Sequence, residues 1–361
     1  MRSINTLKKH LEQAPLSLSR HRLDMLCNLM CALMRMRTVN LMKLAPALPG
    51  RTEWMSRYRR LQRFFSSGLS PATLSEFIVR RLVPPVQQLF LSLPFDRTHW
   101  RLGRTDVNVL CLGLLHEGVS IPLESMALGK AGNSNTQERK KLFRRAWRYL
   151  KAFPCCLLAD REFIGAEWLR FLLKQKGLDF IIRIRYNSWV TLAHGQLHHL
   201  EVFTRNLPKG KTRTYESVEL YDGEKAVRLN LVCHRSTKGE LVLLATNRTD
   251  LDQVLEIYKE RWSIETAFGF FKSRGFNLED THLTLPKRIE LLLAVLALCL
   301  MWSLLIGVWI DHHKPIKIKK HGRKSISSVR LGINHLHDVL EHFDDRWRDF
   351  RHCCRILLSC T

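Results

Sequence analysis

The sequence predicts a mixed α/β protein: a mixed sheet flanked by helices, with a helical N-terminal region, a β-rich insertion and a helical C-terminal region. Three observations lead there. Residues 1–85 carry apolar side chains at helical spacing, as at Leu23, Leu26, Met30 and Leu33. From about residue 90, short runs rich in Val, Ile and Leu alternate with helical stretches, in the order strand, strand, strand, helix, strand, helix, strand. Residues 186 to about 240 are strand-like throughout. With 361 residues, the chain is long enough for one large domain over 86–335, the helical region before it and a helical tail over 336–361.

Each element has its own signal. In the N-terminal region, RTEWMSRYRRLQRFFSSG interleaves Arg57, Arg59, Arg60 and Arg63 with Trp54, Tyr58 and Phe64, and Gly68 and Ser70-Pro71 then interrupt it. Such a helix can lie on a duplex, which makes Arg57, Arg60 and Arg63 candidate DNA contacts; the plainer reading is a solvated helix face. LFLSLPFDRT, DVNVLCLGLL and VSIPLESMAL read as three strands in antiparallel hairpins. The next helix opens on Asn135 as N-cap with Glu138 three positions on, and Phe143, Trp147 and Leu150 form its apolar stripe. CCLLAD is a buried strand, EFIGAEWLRFLLKQKG a helix ending at Gly177, and LDFIIRIR another strand. The β-rich stretch has turns at His194-Gly195, Lys209-Gly210 and Asp222-Gly223. LVLLATN returns to a core strand, a long helix begins near Leu251, and a last helix covers residues 330–358. No internal repeat is present.

Composition narrows the partner. Lys and Arg total 58 against 33 Asp and Glu, a formal net charge of +25. That much positive charge repels itself in a compact fold, and a polyanion relieves the repulsion. The basic residues are spread over the whole chain, which favours nucleic acid over a membrane surface. The ten cysteines have no paired C-x2-C arrangement; Cys155-Cys156 and Cys353-Cys354 are adjacent pairs, suited to neither zinc nor an ordinary disulfide. Buried, reduced thiols in a cytoplasmic protein are the expectation. Leu291 to Ile310 is uncharged over a membrane-spanning length, and a helix buried on every side produces the same pattern. Its context, directly after the segment described next, favours the buried helix and no membrane.

That segment is YKERWSIETAFGFFK, Tyr258 to Lys272. In a regular helix Arg261, Glu265 and Lys272 fall at roughly 300°, 340° and 320° from Tyr258, so one face carries a carboxylate, two cations and a phenol. Alone, this is also what a salt-bridged surface helix looks like. Two more acids change the balance. Asp96 ends the first predicted strand and Asp160 ends CCLLAD; an aspartate there is costly unless something binds it. Together Asp96, Asp160 and Glu265 can hold two divalent cations through oxygen ligands, the arrangement that activates an attacking oxygen and stabilises a leaving one at a phosphodiester.

Tyr258-x2-Arg261-x3-Glu265-x6-Lys272 matches the YREK signature of the fourth family of insertion-sequence transposases. DRTHW around Asp96, LADREF around Asp160 and KSRGFNLEDTHLT after the signature also resemble that family, over residues 50 to 335. The resemblance implies an RNase H-like core with a β-strand insertion before the glutamate helix. It implies cut-and-paste chemistry with Asp96, Asp160 and Glu265 catalytic and holding Mg²⁺, with Mn²⁺ able to substitute. The steps are nicking at element ends, attack of the 3′-hydroxyl on the opposite strand to form a hairpin, hydrolytic reopening, and joining to target DNA. Tyr258, Arg261 and Lys272 are expected on phosphates near the scissile bond, and Trp262 could stack on a flipped base. The partners implied are double-stranded DNA, as element ends and target, and a second copy of the chain in a synaptic complex.

Other residues have weaker claims. Trp189 is either a wedge between bases or a core tryptophan. Glu162 is an alternative acid ranked below Glu265. The basic loop Lys314 to Lys324 contacts DNA or a second subunit, or is a solvated linker. His312, His313 and His321 read as surface or phosphate-contacting residues rather than metal ligands. Three rival functions remain at this stage: a catalytically inactive protein that occupies element ends, a membrane protein with a basic face suggested only by Leu291 to Ile310, and a stand-alone structure-specific nuclease.

Overall fold

The computed structural model describes residues 2–14, 16–84, 90–103, 105–192, 195–320 and 322–358. His194 of the predicted His-Gly turn and His321 therefore lie outside the described residues. Five helices come first: α1 (Arg2–Leu11), α2 (Arg20–Met36), α3 (Leu41–Leu44), α4 (Trp54–Phe65) and α5 (Pro71–Leu82). Ser19 and Asn40 cap α2 and α3 with their side-chain oxygens, accepting from the backbone N–H groups of Arg22 and Met42.

The three predicted hairpin strands are β1 (Leu91–Leu102), β2 (Thr105–His116) and β3 (Val119–Ala127), paired antiparallel in succession. Next come α6 (Thr136–Leu150), β4 (Cys155–Ala159), α7 (Ala166–Leu173) and β5 (Leu178–Arg183). The Asn135–Glu138 capping box at the start of α6 forms as the spacing predicts. β4 lies parallel to both β1 and β5, which makes the sheet mixed. The β-rich stretch contributes β6 (Trp189–Thr191), β7 (His198–His199), a short α8 (Leu200–Thr204), β8 (Thr212–Asp222) and β9 (Lys225–Arg235), and β10 (Leu241–Thr246) returns the chain to β5. These strands do not form a separate sheet. They extend the same one, in the order β3-β2-β1-β4-β5-β10-β9-β8-β6-β7.

The helix predicted from Leu251 is not regular. It divides into α9 (Val254–Lys259), a 3₁₀ turn at Glu260–Trp262, α10 (Ser263–Gly269) and a π turn at Phe270–Arg274. The π turn ends at Gly275, where a Cβ would stand 2.5 Å from the Phe270 carbonyl oxygen, so only glycine fits there. The long apolar run is α11 (Pro286–His313), followed by α12 (Ser328–Glu341) and α13 (Trp347–Leu358). The last predicted helix is thus two, broken at residues 342–346.

α11 has the length and apolarity of a membrane span, but 94% of its most apolar window is buried inside the protein. It packs on β3, α2, α5, α12 and α13. The contact with α12 is the closest, and two glycines make it: a Cβ on Gly307 would lie 1.7 Å from the Ser328 carbonyl oxygen, and one on Gly332 1.8 Å from that of Ser303. One continuous apolar core extends from Ile4 to Leu357, so the first and last helices bury their apolar stripes together around α11. The cysteines among the described residues are free and buried, which suits them as small apolar side chains.

Candidate active site

β1 and β4 run side by side, and Phe95 opposite Ala159 is their last paired rung. The next residue on each strand is the acid singled out from the sequence, Asp96 and Asp160. Asp96 does not end its strand as predicted, because β1 continues to Leu102 against β2. What ends there is the parallel pairing, and the divergence of the two strands opens the space into which carboxylates can project.

Glu265 comes from above, on α10, and one residue joins it to the strand. Arg261 donates from Nη1 to Asp96 Oδ2 at 3.1 Å and from Nη2 to Glu265 Oε1 at 2.8 Å. Its side chain is only 7% exposed, against 16% for Asp96 and 37% for Glu265. Burial opposes the Arg261 charge, whereas Tyr258, Glu265, Asp96 and Asp160 favour it, and the net effect is upward. Asp160 is therefore within electrostatic reach of the same guanidinium. Its Oδ1 is buried and has no hydrogen-bond donor, an expensive state for a carboxylate without a cation. Burial pushes the Asp96 carboxyl up to about 6; the backbone N–H of Arg97 and the charge of Arg261 pull it down, and Glu265 and Glu162 raise it further.

The other signature residues are placed less uniformly than a regular helix predicts. The Tyr258 ring lies 5.9 Å and the Trp262 ring 5.2 Å from the Arg261 guanidinium carbon. Tyr258 packs on the small core cluster of Cys156, Leu158 and Val232, and its hydroxyl is buried. Burial, the largest influence on it, pushes that hydroxyl well above the ordinary phenol range. Trp262 is 62% exposed. Lys272, displaced by the 3₁₀ and π turns, does not meet the carboxylates: its Nζ donates to the His99 carbonyl oxygen at 2.6 Å and pairs with Glu279 at 3.2 Å.

Several residues that support the site were not singled out from the sequence. Glu260, on the 3₁₀ turn, accepts a short hydrogen bond from Ser92 and so fastens the segment bearing Arg261 to β1. Arg97 donates to Glu162, the alternative acid of the sequence, through Nε at 3.2 Å and Nη2 at 3.1 Å, and also reaches Asn108 and Asn133. Arg139 is buried and donates to the carbonyl oxygens of Ser134, Glu162 and Ile164, which fixes the loop leaving Asp160. Nothing in the cluster QERKK distinguishes Arg139 from its neighbours; only the fold does.

The remaining candidates lie elsewhere. Trp189 is 45% exposed near the far edge of the sheet, its ring 3.7 Å from that of His199. On α4, Arg57 donates to the carbonyl oxygens of Pro46 at 3.0 Å and Leu48 at 2.9 Å, and Arg60 reaches Met25 Sδ at 3.7 Å. Arg59 and Arg63 are the exposed arginines of that helix. Lys324, at the end of the basic loop, pairs with Asp311, and His313, at the end of α11, bonds the Trp309 carbonyl oxygen through Nδ1 at 2.8 Å.

Hard carboxylate oxygens at three converging positions, one of them orphaned, are the right donor set for magnesium or manganese. In the arrangement described, no three His, Cys, Asp or Glu side chains among the described residues stand close enough to share one ion. The Arg261 guanidinium occupies the space between two of the three acids. The residues fit a divalent cation in kind, and Arg261 must move for them to fit in position.

Residues 114–302 match the family model described as a transposase DDE domain. The chain belongs to the transposase DDE domain family. The matched segment contains Asp160 and Glu265 and begins after Asp96. Enzymes with a DDE domain use divalent metal ions and carry out nuclease and strand-transfer chemistry. Among solved structures, a piggyBac transposase synaptic complex with hairpin DNA, determined by cryo-EM, is similar at 12% identity and a TM-score of 0.46, over 99% of this chain and 83% of that one. No curated protein matches by sequence.

Proposed function

We propose that the protein is a cut-and-paste DNA transposase of the YREK type, which cleaves element ends by metal-dependent phosphodiester hydrolysis and joins the 3′-hydroxyls to target DNA. The observation that carries this reading is that Asp96 and Glu265 share Arg261 where β1 and β4 diverge, with Asp160 the first residue past the same rung. Asp96, Asp160 and Glu265 would hold Mg²⁺ or Mn²⁺, which supplies an activated hydroxyl and charge neutralisation at the scissile phosphate.

The chain's own residues do the positioning. Arg261 offers a planar two-pronged donor suited to phosphate oxygens. Exposed Trp262 beside it presents a stacking face for a base displaced from the duplex, as hairpin formation at an element end requires. Tyr258, whose proton burial retains, can donate its hydroxyl to a phosphate oxygen. Lys272 leaves Glu279 and the His99 carbonyl to meet a strand passing over α10. The helices before β1 form the end-binding region through exposed Arg59 and Arg63, and Trp189 at the sheet's far edge is the candidate wedge. The active form is a dimer on two ends, in the nucleoid-bearing cytoplasm.

The test is a cleavage assay on the protein's own element ends with Mg²⁺, an EDTA control and Glu265→Gln in parallel. Metal-dependent hairpins that need Glu265 support the reading. Binding without cleavage under any metal makes the protein an end-binding relic, and cleavage without joining makes it a nuclease.

A further inference from the structure

We infer that Arg261 is an internal counter-ion that keeps Asp96 and Glu265 closed to divalent cations until a DNA phosphodiester draws its guanidinium away, so that cation and phosphate binding at this site are coupled. The inference rests on the proposed chemistry of the site and concerns its regulation.

The geometry points one way. A guanidinium at 3.1 Å from Asp96 and 2.8 Å from Glu265 uses one oxygen of each carboxylate and adds a full positive charge between them. A divalent cation sharing those oxygens would lie within a few ångströms of that charge, and the repulsion would be strong because the Arg261 side chain is only 7% exposed. The two cations exclude each other. The third acid, Asp160, keeps a buried oxygen with no hydrogen-bond donor among the described residues, an acceptor left for a cation.

The backbone is built to let Arg261 go. It sits on the 3₁₀ turn between α9 and α10, and a tighter turn inside an otherwise helical run marks a hinge. Glu260, the residue before it, is tied to Ser92, so rewinding of the turn would be taken up from Arg261 onward rather than across the whole helix. The exposed Trp262 ring, 5.2 Å from the guanidinium, marks the open side through which the side chain can reach solvent or a strand. A phosphodiester offers the two-oxygen acceptor that a guanidinium prefers, and it replaces the two carboxylates Arg261 gives up. Because linkage is reciprocal, phosphate that binds Arg261 raises cation affinity by the same factor that cation raises DNA affinity.

The test uses the full chain and does not depend on cleavage. Mn²⁺ binding to the DNA-free protein is measured by electron paramagnetic resonance of the free ion, for the wild type, Arg261→Ala and Arg261→Gln. The expected result is that both variants bind Mn²⁺ roughly tenfold tighter than the wild type, within the usual range of such couplings, and that Asp160→Asn added to either variant removes the gain. General structural damage would weaken binding, not tighten it. Folded variants, by thermal melting, that bind Mn²⁺ no better than the wild type overturn the inference. In a second arm, wild-type affinity for a short duplex is measured with and without Ca²⁺, and inorganic phosphate replaces DNA in a parallel titration. Tightening that is lost in Arg261→Ala supports coupling, whether duplex alone or either anion produces it. Equal response in wild type and variant overturns it. A protein that never cleaves DNA would defeat the transposase reading and leave both readouts intact.

Discussion

Asp96 and Asp160 are the first residues beyond the last paired rung of β1 and β4, so two carboxylates from positions far apart in sequence stand at the mouth of one parallel strand pair. Adjacent strands lie only about 4.8 Å apart, and two ionised groups at that spacing need a cation between or beside them. Asp96→Asn and Asp160→Asn should each lower cleavage of element ends by at least about three orders of magnitude, as is usual for members of a cooperating catalytic set. Binding of the same ends, measured by gel shift, should fall less than about threefold, because neither residue lies on the basic surface. A variant that cleaves at the wild-type rate removes its residue from the site.

Much of this arrangement was legible in the sequence, for identifiable reasons. Alternating apolar runs marked β1 to β3, and the Asn135–Glu138 pair marked the start of α6, because both signals are local. Asp96 and Asp160 stood out because an aspartate closing an apolar run is costly, and Glu265 because of its spacing from Tyr258, Arg261 and Lys272. The broken helix was not legible. A 100° periodicity assumes uniform winding, and nothing in ERW or FFKSR announces a 3₁₀ or a π turn. For that reason Lys272 was placed on the Glu265 face and is found on His99 and Glu279 instead. The β-rich stretch was recognised as strands, but not as an extension of the central sheet, because the pairing that joins it there, β10 on β5, is a long-range choice.

Glu124 offers a test of burial away from the site. It sits in β3 with 4% exposure, its Oε1 has no hydrogen-bond donor among the described residues, and Arg148 Nη2 stands 3.7 Å away. Burial pushes its carboxyl up to about 7, Arg145 and Arg148 pull it down, and Glu290 raises it. An acid whose folded pKa is raised adds stability that is fully present below its unfolded value near 4.5 and is lost as pH climbs through 7. Glu124→Gln should therefore stabilise the protein at pH 8 by up to about 3 kcal/mol, with the gain vanishing near pH 4. Thermal melts of the two proteins across that range settle the matter; a gain that does not vary with pH refutes the buried ionisation.

The contact of α11 with α12 predicts a sharp intolerance. Gly307 and Gly332 face backbone carbonyls at distances no Cβ can occupy, and flexible side chains are not available to yield. Gly307→Ala or Gly332→Ala should push the helices apart and cost at least about 3 kcal/mol, in the range of severe overpacking. The readout is the melting temperature, with soluble yield as a coarser check. Gly322→Ala serves as the contrast, since a Cβ there meets nothing within 4 Å, although its positive φ of 78° adds modest strain. Full stability of Gly307→Ala would mean that α11 does not pack against α12 in this way.

The arginines of α4 divide by what already holds them. Arg57 is engaged with the carbonyl oxygens of Pro46 and Leu48, at the turn before the helix, so its donors stabilise the fold. Arg59 and Arg63 are exposed beside Gln62 and Ser66, around an open cavity of about 560 Å³ with no acidic residue in its lining. Cations in such a setting gain most from a phosphate. Arg59→Ala and Arg63→Ala should each weaken duplex binding and reduce the slope of log affinity against log salt by about one, the signature of one lost phosphate contact. Arg57→Ala should leave that slope unchanged and lower the unfolding free energy by about 1 kcal/mol, through the hydrogen bonds lost to the Pro46 and Leu48 carbonyls. The salt titration separates the two roles: a slope reduced in Arg57→Ala and unchanged in Arg63→Ala would reverse the assignment and place the duplex against the turn at residues 45–48, not along the exposed face of α4.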